Sequence, residues 1–117
     1  MTLQGLSILV LEDEPVIALT LEDMLLDWGA KPIVATSLEA AAEALAERDF
    51  DLAMLDVNVG GSNSYSVAAE LKRRGTPFLF ATGYGDALHG DQFAGVSTVT
   101  KPYNLADIEE ALARIVR

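Results

Sequence analysis

Cysteine is absent from the sequence. That absence excludes disulfides, thiolate metal sites and a cysteine nucleophile, and it suits a reducing compartment. Basic residues are scarce: eight lysines and arginines stand against eighteen aspartates and glutamates, a net charge of −10. Binding to nucleic acid or to an anionic membrane surface is therefore electrostatically unfavourable, while a basic protein partner remains compatible. No secretory signal and no apolar run of the length needed to span a bilayer occurs, so the chain is expected in the cytoplasm. Repeats, low-complexity tracts and linker-like segments are missing as well, which predicts one compact unit over residues 1–117. What is present is 50% hydrophobic residues, enough for a core in a chain of this length.

The apolar residues fall into two alternating patterns. Short runs at Ile8 to Leu11, Pro32 to Ala35, Leu52 to Leu55, Phe78 to Ala81 and Val96 to Val99 are mostly too uniformly apolar to have one wet face, and predict parallel strands buried on both sides. Between them, apolar residues recur at intervals of three and four. Examples are Ile17, Leu21, Met24, Leu25 and Trp28 in one segment, and Leu105, Ile108, Leu112 and Ile115 in the last. Pro15 suits a first helical turn, Thr36 with Glu39 fits a capping box, Asn104 with Asp107 a similar cap, and Gly29 and Gly75 suit helix ends. Alternating strands and helices predict an α/β doubly wound parallel sheet, with ligands bound beyond the carboxyl ends of the strands.

That topology gathers Glu12 and Asp13 after the first strand, Asp56 after the third, Thr82 after the fourth and Lys101 after the fifth on one rim. Two carboxylates about 4 Å apart repel by roughly 4 kcal/mol at an effective dielectric near 20, so three of them must either take up protons or hold a cation. An oxygen-only donor set on a rigid rim suits a hard ion, and Mg²⁺ in particular, which binds through one or two carboxylates and keeps sites for water and phosphate oxygens.

In this order and spacing, Glu12-Asp13, the Asp56 that closes Leu52-Ala53-Met54-Leu55-Asp56, the hydroxyl of Phe80-Ala81-Thr82-Gly83-Tyr84, and Lys101-Pro102 resemble the receiver domain of bacterial two-component response regulators. The resemblance covers essentially the whole chain. It implies a flavodoxin-like fold with five strands in the order 2-1-3-4-5. It implies that Asp56 accepts a phosphoryl group from the phosphohistidine of a sensor histidine kinase or a histidine phosphotransfer protein, so that the chain switches a protein partner and is not a turnover enzyme. Asp13 would ligate Mg²⁺ directly, Glu12 through water, Asp56 with one oxygen, and Asn58 with its carbonyl. Thr82 and Lys101 would meet the phosphoryl oxygens, and a cis Lys101-Pro102 bond would aim the ammonium inward. Carboxylates are capable phosphoryl nucleophiles, and phosphoryl transfer rests on positioning and charge stabilisation.

The sequence also departs from the family pattern. Thr98 stands three residues before Lys101, where receivers commonly carry an aromatic switch residue, and Tyr84 is the nearest substitute. The glycine-rich segment Gly83 to Asp91 predicts a fourth helix that is short or disordered. Gly60-Gly61 replaces the Pro-Gly often found after the acceptor strand and predicts added freedom beside the metal. With the string Phe80 to Tyr84, these departures resemble a receiver subgroup associated with alphaproteobacteria.

Other residues have simpler readings. His89 reads as a surface residue, Glu39, Glu43 and Glu47 as a solvated helix face, Trp28 and Met24 as core, and Ser62, Ser64 and Ser66 as loop and helix-cap hydroxyls. A flavodoxin-type flavin carrier is disfavoured because Glu12, Asp13 and Glu14 would repel its phosphate. A haloacid-dehalogenase-like phosphatase wants a second aspartate where Asn58 stands. The remaining alternative is a phosphate-independent protein-binding module on a receiver scaffold. With no output domain after Arg117, the chain reads as a single-domain regulator or as a receiver cut from a longer protein.

Overall fold

The computed structural model describes residues 3–82, 96, 98–100 and 105–115. Its elements are β1 (Ser7–Leu11), α1 (Pro15–Asp27), β2 (Lys31–Ala35), α2 (Leu38–Glu47), β3 (Leu52–Asp56), β4 (Asn58–Val59), β5 (Ser62–Asn63), α3 (Tyr65–Arg74), β6 (Phe78–Thr82), β7 (Thr98–Thr100) and α4 (Leu105–Ile115). Five strands form one sheet in the order β2-β1-β3-β6-β7, every neighbouring pair parallel, which is the predicted 2-1-3-4-5 arrangement. The last strand begins two residues later than its apolar run suggested, because pairing with β6 starts at Phe80 opposite Thr98. The expected short fourth helix, Tyr84, His89, Lys101, Pro102 and Asn104 lie outside the described residues.

Period-two alternation in the strands sorts the core into two layers. Leu9, Leu11, Ala53, Leu55, Phe78 and Phe80 face α2 and α3, where they meet Ala41, Leu45, Val67, Ala68 and Leu71. Ile8, Val10, Leu52, Met54, Leu79 and Val99 face the other way and pack on Leu21, Met24 and Leu25 of α1 and on Ile108, Ala111 and Leu112 of α4. Helices therefore cover both faces of the sheet, and β3 at its centre is buried along its whole length. β2 is the exception, only half-buried along most of its length because it is an edge strand.

Helix ends follow the sequence with one correction. Pro15 opens α1, and Gly75 ends α3 in the left-handed region at φ 74°, where glycine avoids the Cβ penalty. The cap of α2 is Ser37, not Thr36: its hydroxyl accepts the Ala40 amide at 3.1 Å, so the helix starts one residue later than the capping box implied. Glu70, Arg74 and Asp49 form an ion-pair chain that ties α3 to the turn before β3. The Glu70 carboxyl, hydrogen-bonded first by Arg73 and then by Arg74, is lowered to about 2.

Candidate metal and phosphoacceptor site

Each acidic residue reaches the sheet rim through a backbone connection that its strand dictates. Glu12 extends β1 by one residue, its amide donating to the Ala35 carbonyl at 3.0 Å, and its side chain is 1% exposed. A buried carboxylate needs partners. One Glu12 oxygen, Oε2, accepts the Glu14 amide at 3.2 Å, in the turn that leads into α1. Asp13 points out to solvent and accepts the Gly60 amide at 2.9 Å on Oδ2. Asp56 is the last residue of β3, 7% exposed, and its Oδ1 accepts the Asn58 amide at 3.3 Å.

One carboxylate oxygen from each of Glu12, Asp13 and Asp56 lies within 4.8 Å of the others. At an effective dielectric near 20, charges this close repel by roughly 3 to 4 kcal/mol per pair, so a cation at their centre removes a substantial penalty. The donors fit Mg²⁺: all are oxygens, and octahedral ligands about 2.1 Å from such an ion sit roughly 3 to 4 Å from one another, with water completing the shell. The sequence thus brought Glu12, Asp13 and Asp56 together as the structure does. Asn58 is on the same rim, exposed, with its amide on Asp56.

Strand β6 brings Thr82 to the same end of the sheet. Ala81 pairs with Asp56, and Thr82 follows it as the last residue of β6, paired with Thr100 of β7. Lys101 succeeds Thr100 in the sequence and is itself outside the described residues.

Two features of the site were not foreseen. Gly60 and Gly61, expected to loosen the loop, instead form the two-residue turn of a small antiparallel hairpin, β4 with β5, at φ 59° and 83°. Two positive φ values in succession are what a type I′ hairpin turn requires, and a Gly-Gly pair supplies them without strain. That dipeptide was the available signal, obscured because the flanking arms are only two residues long. Ser64, read as a cap or loop hydroxyl, stands at the start of α3 but makes no side-chain cap. It is fully buried, and its hydroxyl donates to the Asp56 carbonyl at 2.6 Å. Nothing in the sequence marks that contact, since the partner is a backbone atom eight residues away.

Comparison with known proteins agrees with this geometry. Residues 8–113 match the family model described as the response regulator receiver domain. The solution structure of SdrG from Sphingomonas melonis superposes with a TM-score of 0.83 at 35% identity, covering 98% of both chains. The BeF3-activated conformation of SdrG superposes with a TM-score of 0.80 at 34% identity, covering 97% of this chain and 98% of that one. The transcriptional regulatory protein TcrA of Mycobacterium tuberculosis is 31% identical over 97% of this chain and 47% of its own length. The chain spans about half the length of the curated relatives it matches. By fold, by the acidic cluster at the carboxyl ends of β1 and β3, and by a family match over nearly its full length, the chain belongs to the response regulator receiver domain family.

Proposed function

We propose that the chain is the phosphoacceptor of a two-component phosphorelay, taking a phosphoryl group from a phosphohistidine onto Asp56 and thereby regulating a protein partner. The observation that carries this reading is the convergence of Glu12, Asp13 and Asp56 on one point, with Asp56 at the end of the central strand and still reachable from solvent. An Asp56 carboxylate oxygen attacks phosphorus, the new P–O bond replaces the P–N bond to the donor imidazole, and that imidazole leaves with a proton from solvent. Asp13, Asp56 and the Asn58 carbonyl would hold Mg²⁺, with Glu12 acting through water, and the ion would supply positive charge against the phosphoryl oxygens. Thr82 and Lys101 are assigned to the same oxygens, as hydroxyl donor and as ammonium, because transfer depends on stabilising charge there.

A donor protein must bring its phosphohistidine to this rim, and α1 starts there at Pro15. Its outer face carries Val16, 78% exposed, with Leu19 and Leu26, a surface suited to protein contact. The new phosphate adds about −1.5 to −2 charges and several acceptors, which is what Thr82 and Lys101 would respond to. Such a chain is a signalling module acting in the cytoplasm. Among its described residues no helix is long and apolar enough to cross a membrane. The string Phe80 to Tyr84, with Thr98 in place of an aromatic, further assigns it to the subgroup that string marks.

Incubation with MgCl2 and acetyl phosphate, followed by intact mass measurement, tests the proposal. The native chain should gain one phosphoryl group, and Asp56→Asn or added EDTA should abolish the gain. No gain from acetyl phosphate or from a phosphorylated histidine kinase, in a chain that binds Mg²⁺, would favour a phosphate-independent binding module.

A further inference from the structure

The two unforeseen contacts belong to one short segment. Residues 57–64 leave β3, turn back through the Gly60-Gly61 hairpin and enter α3. The segment is fastened at its base and at its tip. At the base, the Ser64 hydroxyl donates to the Asp56 carbonyl at 2.6 Å and the Ser64 amide to the Val57 carbonyl at 2.8 Å. At the tip, the Gly60 amide donates to Asp13 at 2.9 Å. Asn58 lies between the two fastenings, paired with Asn63 across the hairpin, and its amide holds Asp56 Oδ1.

We propose that Ser64 is a positioning residue for phosphoryl acceptance: its buried hydroxyl, by holding the Asp56 main chain, clamps the hairpin so that Asp13, Asp56 and Asn58 keep one arrangement. This rests on the phosphoacceptor reading above. A backbone carbonyl at the end of a buried strand has a fixed position only if its hydrogen bond is made. Here a side chain eight residues on donates to that carbonyl. Removing the hydroxyl takes this buried bond from the Asp56 carbonyl and weakens the fastening at the base of the hairpin. The tip then loses its fixed distance to Asp13. Ser64 touches neither phosphate nor metal, so it acts through Asp56 and the hairpin.

Two readouts test this, one of which needs neither Mg²⁺ nor phosphate. In metal-free protein, amide hydrogen exchange of Asn58 and Gly60 should be at least fivefold faster in Ser64→Ala than in the native chain. Amides of the β1–β3 pairing should stay unchanged, and Ser62→Ala, on the exposed arm of the hairpin, should have no effect on Asn58 or Gly60. With saturating MgCl2 and acetyl phosphate, well below the melting temperature of each variant, Ser64→Ala should acquire phosphate about three- to tenfold more slowly. Ser64→Thr, which keeps the hydroxyl, should recover most of that rate. If Ser64→Ala does not fold, Ser64→Cys, which keeps the volume but only a weak donor, takes its place with the same expectations. Native exchange of Asn58 and Gly60 in the folded variant overturns the proposal. If the native chain takes no phosphate, the phosphoacceptor reading fails, while the exchange result still decides whether Ser64 clamps the hairpin.

Discussion

Glu12 and Asp13 are adjacent in sequence yet sit in opposite environments, the first buried beneath the rim and the second facing solvent. Both nevertheless bring a carboxylate oxygen to within 4.8 Å of the other and of Asp56, one from below the surface and one from the solvent side. On the proposed function Asp13 would give an oxygen directly to the cation and Glu12 would act through water. Asp13→Asn should weaken Mg²⁺ binding by at least about tenfold, the low end of what losing even an outer partner of a metal site costs. Glu12→Gln should weaken it less. Calorimetric titration of both variants with MgCl2 measures this, and a larger loss for Glu12→Gln would reverse the two roles. These acidic residues were legible in the sequence because charge at the end of an apolar run is conspicuous. Ser64 was not, since a serine that serves a backbone carbonyl looks like any loop serine until the chain is folded.

At the scale of elements, what could be read was what burial on two sides imposes. The four longest strands of the main sheet begin and end within a residue of their apolar runs, because a strand between two helical layers has no polar positions to confuse its limits. Helix starts are decided by single hydrogen bonds, and there the sequence allowed two answers for α2. Thr36 and Ser37 are both competent caps, but only the Ser37 hydroxyl receives an amide of the first turn. Ser37→Ala should cost about 1 kcal/mol of folding stability, in the usual range for losing such a cap, and Thr36→Ala a few tenths at most. Urea midpoints of the two variants separate them, and equal losses would show that the capping hydrogen bond is not the deciding contact. The β4–β5 hairpin escaped notice for a related reason: its two-residue arms are too short to display a period, leaving only Gly60-Gly61 as a sign of it.

Across the whole molecule, a net charge of −10 and a knot of three carboxylates at one end of the sheet act in the same direction. Both penalise the folded state, the first diffusely and the second locally, and cations relieve both. The two kinds of relief differ in what they require. Diffuse repulsion is screened by any salt, over a Debye length of about 10 Å at 0.1 M, and responds to ionic strength whichever cation supplies it. The cluster would instead be relieved by an ion held between Asp13 and Asp56. If Mg²⁺ binds the folded chain alone, a concentration one hundred times its dissociation constant stabilises that chain by about 2.7 kcal/mol. For a domain of this size the gain corresponds to a rise of about 10 °C in Tm. Thermal melts in MgCl2 and in NaCl of matched ionic strength should therefore diverge by about that amount for the native chain. In Asp13→Asn at the same MgCl2 concentration, a tenfold loss of affinity leaves about 1.4 kcal/mol of that stabilisation, so at least about half of the divergence should disappear. An equal rise in both salts would mean that screening of the overall charge, and not occupancy of the Glu12, Asp13 and Asp56 cluster, is what the protein gains from the cation.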